Sequence, residues 1–211
     1  MTIAHHPSDP TLAAFAAGTL DEGRGLVVST HLAGCPACRK AVRSFEGVYG
    51  VALEDGERAP MAADALQRAL GAIAADDAPA EARSGDDRSA WPAPLSSYPL
   101  GAWRWIGPGV HWRPVGVPAV EETRVFMLKA APGTRIPHHE HGGIEWTCVL
   151  QGAFRHRLGH YGAGDFDEAD DTVDHQPIVE DGVECVCLVA LQGQIRFKGW
   201  IGRVMQLCVR I

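Results

Sequence analysis

The stretch GTRIPHHEHGGIEWTCVLQG, Gly133 to Gly152, decides how the chain is read. Glycines punctuate both ends, and its second half is rich in β-branched and aromatic residues, the composition of strands set between tight turns. On an extended strand alternate side chains share a face, so His139 and His141 point to the same side. Glu145 returns from the following turn or strand to the same interior point. Two imidazoles and a carboxylate converging in this way form the donor set of a metal centre.

Working outward, TRVFMLKA, ECVCLVALQG and IRFKGWIGR are further short runs of the same kind, broken by Gly, Pro and Asp. They predict an all-β domain over residues 100–211, a barrel or sandwich. Before it, DDAPAEARSGDDRSAWPAPLSSYP has repeated Pro, Ser, Gly and acidic residues and no apolar periodicity, which predicts a linker. The expected division is a helical domain over 1–78, the linker over 79–99 and the β domain over 100–211.

The first 78 residues have a helical grammar. Leu12, Phe15, Ala16 and Leu20 share one helical face; a second helix starts after an Asp21 cap and runs to about Leu32. Pro36 suits the first turn of a third, carrying Val42, Phe45, Val48 or Tyr49, and Ala52. Met61 to Ala75 predicts a fourth, striped by Leu66, Leu70 and Ile73. Four short helices rich in Ala and Gly have a thin core, so a metal staple would strengthen them.

Such a staple is spelled by HLAGCPACRK, residues 31–40. His31 and Cys35 lie about one helical turn apart and Cys38 returns through the next, so three ligands converge on one ion. A closed zinc site needs a fourth. His5 and His6 both stand upstream; the sequence does not separate them, and His6 is our choice. A redox C-x2-C is the competing reading, but that motif follows a strand in a βαβ unit and none is visible here.

Composition narrows the function. A net charge of −7 argues against a direct nucleic-acid binder, which needs a surplus of Lys and Arg on one face. The N-terminus lacks a basic region followed by an apolar core, and no run of apolar residues is long enough to span a membrane. A cytoplasmic protein is expected, in which the six cysteines are ligands, thiols or small core residues and not disulfides.

These motifs resemble known families. H-x3-C-x2-C after a short helix, with a histidine upstream, is similar to the zinc-binding anti-sigma domain. That resemblance implies a structural zinc and a module that wedges between the two conserved domains of an extracytoplasmic-function sigma factor, hiding its polymerase-binding surfaces. Gly133, His139, His141, Glu145 and Gly152 occupy every fixed position of the first cupin motif. Counting from Gly164, the second cupin motif places His175 as the fourth ligand, although Asp170, Thr172 and Val179 stand where proline, glycine and asparagine are common. His138, His156 and His160 fall outside both patterns and are expected at the surface or in loops.

The union of the two, with VLQGAF and ECVCL, resembles the ChrR-type anti-sigma factors over nearly the full length. The resemblance implies an α + β two-domain fold, a small zinc-stapled helical bundle followed by an all-β cupin barrel of the jelly-roll type. It also implies a protein that holds its sigma factor inactive and releases it under oxidative stress such as singlet oxygen. The N-terminal half would suffice for binding and the cupin would be needed for the response.

Zinc is then expected at His6, His31, Cys35 and Cys38. A second divalent metal is expected at His139, His141, Glu145 and His175, with zinc preferred and iron, manganese, nickel and copper all compatible with the donor set. Cys185 and Cys187, at i and i+2, are either redox-sensitive thiols near that metal or two small buried residues. Trp103, Trp105, Trp112, Trp146 and Trp200 are expected in the barrel walls. The competing classes are a metal-dependent cupin enzyme, a dioxygenase or isomerase, and a metal-storage protein. Neither needs the N-terminal cluster together with the cupin.

Overall fold

The computed structural model describes residues 2–75, 91–118 and 123–197. Four helices fall where the sequence places them: α1 (Asp9–Ala16), α2 (Glu22–Gly34), α3 (Pro36–Glu54) and α4 (Ala65–Ala75). Their boundaries have local causes. Ser8 and Asp21 cap α1 and α2, accepting hydrogen bonds from the backbone N–H groups of Thr11 and Arg24. Cys35, with extended backbone angles, ends α2 and caps α3, and Pro36 takes the first turn that follows.

Among the described residues the β domain has twelve strands, β1 (Arg104–Gly107), β2 (Val110–Pro114), β3 (Thr123–Ala130), β4 (His139–His141), β5 (Ile144–Gln151), β6 (Ala153–His156), β7 (Gly159–Gly162), β8 (Phe166–Ala169), β9 (Asp174–His175), β10 (Ile178–Val179), β11 (Cys185–Gln192) and β12 (Ile195–Phe197). Every named pairing is antiparallel. The large sheet runs β1-β2-β3-β11-β5-β8; two three-stranded sheets, β10-β6-β7 and β12-β4-β9, complete the domain.

The large sheet is buried on both faces, and this arranges the whole molecule. Phe126, Val149, Cys187, Val189 and Leu191 pack inward against Phe154, Tyr161 and Val179 of the small sheets. Their neighbours along the same strands, Val125, Met127, Trp146, Cys148, Phe166, Val186, Leu188 and Ala190, form one core with Leu12, Leu26, Val27, Val28, Leu32 and Val42 of the helices. The helical module therefore sits on the outer face of the large sheet. Gly23 permits the close approach of α2, since a Cβ there would meet Val125 at 2.8 Å. Each fully buried Leu or Val in this shared core contributes about 1.5–3 kcal/mol of hydrophobic stabilisation.

Of the segment read as linker, residues 79–90 lie outside the described residues. Its end is structured: α5 (Ala93–Ser96) packs against the same core, and Leu95 has no exposed surface. A single buried leucine in a Pro- and Ser-rich stretch carries no periodicity, so pattern reading misses it. At the other extreme α4 buries no residue.

Candidate metal centres

The first centre is built from three pieces of chain. His31 lies one turn before the end of α2, Cys35 occupies the break between helices, Cys38 lies in the first turn of α3, and His6 comes from the extended segment preceding α1. All four ligand atoms lie within 4.8 Å of one another. His31 Nε2 is 3.3 Å from Cys38 Sγ, and His6 Nδ1 is 3.3 Å from Cys38 Sγ and 3.5 Å from Cys35 Sγ. Tetrahedral zinc with its usual bond lengths sets sulfur and nitrogen ligands about 3.5 Å apart, so these donors fit zinc without rearrangement. The Cys38 backbone N–H points at Cys35 Sγ, 3.4 Å away.

The protonation states agree with that donor set. His31 Nδ1 donates to the Gly164 carbonyl at 2.8 Å, which leaves Nε2 with its lone pair towards the sulfurs. Burial lowers the His31 pKa and favours the neutral imidazole. Burial also pushes the Cys38 thiol up to about 12, with neighbouring Cys35 adding to the effect. A bound cation is what would hold these sulfurs as thiolates. His5 is directed elsewhere, its ring stacked on Tyr161 at 4.2 Å.

The second centre opens into a cavity of about 110 Å³ between the sheets, lined mainly by apolar side chains. β4, the start of β5 and β9 bring His139, Glu145 and His175 together, with ligand atoms within 4.8 Å of one another. His139 Nδ1 donates to the Pro137 carbonyl at 2.8 Å, turning its Nε2 towards His175 Nε2, 3.1 Å away. Two imidazole nitrogens at that separation beside a carboxylate suit one divalent cation. Burial raises the Glu145 pKa and nearby Asp167 adds to the rise, while His139 and His156 oppose it. The backbone of His141 pairs with Ile195 on β12, but its side chain lies outside the described part.

One element escaped the sequence reading. His156, expected at the surface or in a loop, has a side chain with no exposed surface, and its Nε2 lies 3.1 Å from Asp167 Oδ2. Both flank His175, and the three offer ligand atoms within 4.8 Å of one another. The Leu158 backbone N–H donates to His156 Nδ1 at 3.3 Å, so the ring proton sits on Nε2 and is given to Asp167. In this arrangement His156 orients Asp167. The available signal was the alternation of β6 and β8: His156 shares a face with Phe154, and Asp167 is flanked by Phe166. His138 and His160 are exposed as expected, paired with Asp174 at 2.9 Å and Glu180 at 3.1 Å.

Cys185 and Cys187 line the cavity, both buried, with sulfurs 3.7 Å apart. The hydrogen bond with Cys185, followed by burial, holds the Cys187 thiol well above its ordinary range, a resting state opposed to thiolate reactivity. Among the tryptophans, Trp146 is buried beneath the helices and Trp112 packs edge-on to Phe126. Trp103 lies under Arg113 and Lys129. Trp105, expected in a wall, is 66% exposed because it sits on edge strand β1; Trp200 lies outside the described residues.

Comparison with known proteins matches both the helical and the β region. Residues 101–195 match the ChrR Cupin-like domain family, and residues 10–39 match the family described as "Putative zinc-finger". The Anti-sigma-E factor ChrR of Cereibacter sphaeroides is 39% identical over all of this chain and all of its own. The crystal structure of Rhodobacter sphaeroides SigE in complex with the anti-sigma ChrR matches with a TM-score of 0.73 and 35% identity, covering 90% of this chain and 100% of that one. Among the described residues no helix is long and apolar enough to cross a membrane.

Proposed function

The chain belongs to the ChrR family of anti-sigma factors, and from that premise we propose that it sequesters an extracytoplasmic-function sigma factor through its N-terminal helices and releases it under oxidative stress. The observation that carries this reading is α4. Leu66, Leu70 and Ile73 repeat at helical spacing and are 65%, 52% and 70% exposed. With no buried residue, α4 gains little from packing against the described residues, and such a stripe suits a groove on a partner. Val48, Val51, Leu53 and Met61, all exposed, add further apolar surface along α3 and the loop that follows it.

In this reading the protein acts in the cytoplasm, where transcription takes place, and touches no nucleic acid itself. Zinc at His6, His31, Cys35 and Cys38 fixes the angle between α2 and α3 and ties α1 to them. The cupin holds a second divalent ion at His139, Glu145 and His175, with His141 as fourth ligand. Zinc is our choice there, and iron, manganese, nickel or copper would fit the same donors. The oxidative signal, such as singlet oxygen, is read in the cavity lined by Cys185 and Cys187. The chain is a regulator and not an enzyme.

The test is affinity recovery from cell lysate with the full chain as bait, beside Cys35→Ser/Cys38→Ser and Leu66→Glu/Leu70→Glu versions. A sigma factor retained by the wild type and lost from both variants is the expected result; retention by all three would refute the helical surface. The open cavity with its two histidines and carboxylate favours one competitor, a metal-dependent dioxygenase or isomerase. Oxygen uptake by the metal-loaded chain, with no sigma factor recovered, would establish that alternative.

A further inference from the structure

One corner of the β domain touches both metal centres. β7 belongs to a small sheet and β8 is the edge strand of the large one, so residues 163–165 carry the chain from one sheet to the other. Towards the first centre, the Gly164 carbonyl holds His31 Nδ1. Asp165 Oδ1 accepts the backbone N–H groups of Ala4 at 2.6 Å and His5 at 2.9 Å, and the Phe166 N–H donates to the His5 carbonyl at 3.1 Å. Ser8 N–H reaches Glu168 Oε1 at 3.3 Å. The segment presenting His6 is thereby pinned along the edge of β8. Gly164 has φ +92°, and a Cβ there would strike Ile3 at 2.8 Å, so the contact requires glycine.

Towards the second centre, the same corner carries a column of rings. His5 stacks on Tyr161 at 4.2 Å, Tyr161 stacks on His156 at 4.9 Å and 15°, and His156 meets His175 edge-on at 4.9 Å. Alternation does the rest. Phe166 faces the helices and lies 5.7 Å from the His31 ring, while the next residue, Asp167, faces the cavity and accepts the His156 proton.

We propose that this corner, with Tyr161 at its centre, is the coupling element between the two centres: a shift of His175 or Asp167 moves His156 and Tyr161, and through His5 and Asp165 alters how His6 and His31 are held. Close-packed rings in contact on both faces cannot be displaced independently, which gives the connection a physical basis. The proposal rests on the anti-sigma reading for its purpose, but the coupling itself is readable without a sigma factor.

The test is a double-mutant cycle on the full chain, reading the rate at which zinc is lost from the N-terminal centre to an excess of chromogenic chelator. Emptying the cupin centre with His139→Ala/Glu145→Gln should change that rate at least about fivefold in the otherwise wild-type chain, the lower end of ordinary allosteric couplings. With Tyr161→Leu or Asp165→Ala the change should fall below about twofold. Tyr161→Phe, which keeps the flat ring, should preserve it. An equal change in the Leu and wild-type backgrounds, no change in the wild type, or loss of coupling with Phe would each overturn the proposal. Sigma binding measured on the same samples separates the two ideas, because its absence in the wild type would sink the functional reading while leaving the cycle intact.

Discussion

The two candidate metal centres offer overlapping ligand types in opposite settings. The N-terminal one draws four donors, two of them cysteines, from three helical and extended segments, and brings them around one point. The cupin centre draws its donors from strands already fixed by a sheet, and faces an apolar cavity. A closed site of soft donors contributes folding energy, whereas an open one leaves coordination positions for chemistry or sensing. The comparison teaches which half should fail when its metal is removed: the helices should lose their arrangement, and the sheet should keep its own.

The largest effect expected is therefore Cys35→Ser/Cys38→Ser. Structural zinc supplies about 10–16 kcal/mol of apparent binding free energy in small sites, and far-UV circular dichroism with metal analysis should show loss of zinc, of helix and of sigma binding together. Next comes Leu188→Ala on the helix-facing side of β11. A buried Leu→Ala change costs about 2–5 kcal/mol, and because the core is shared, zinc release and tryptophan fluorescence should both move to lower denaturant. Movement of the fluorescence transition alone would mean that the helices do not depend on the sheet.

His139→Ala should spare zinc in the first centre and resting sigma binding while abolishing induction in a reporter strain. Unchanged induction would remove the cupin metal from sensing. The smallest effect is one of pH. Glu145 has a raised pKa in the metal-free fold, so its contribution is complete below the ordinary glutamate value and is lost as pH rises through the folded one. Metal-free protein should lose stability over that rise, Glu145→Gln should flatten the curve, and denaturant titrations at a series of pH values would show it.

Much of this was legible in the sequence because it depends on local rules. Asp21 and Pro36 mark helix boundaries by capping and first-turn chemistry, and the spacings of His31, Cys35 and Cys38 and of His139 and Glu145 follow from helix and strand periods. The choice of His6 over His5 was not fixed by spacing, because both lie on the same extended segment and only the pinning by Asp165 separates them. The helix-bearing outer face of the sheet was also hidden. ECVCLVALQG reads as apolar throughout, which signals burial on both faces but not what covers the second. His156 and Asp167 were missed because their partnership joins strands of different sheets.

Whether this chain silences a sigma factor through an exposed helical surface is best decided by in-vitro transcription. A sigma factor recovered with the chain would be assayed with RNA polymerase and increasing amounts of zinc-loaded wild type or Leu66→Glu/Leu70→Glu. Transcription should fall to background near one equivalent of wild type and persist with the variant. Undiminished transcription with fully zinc-loaded wild type would contradict it.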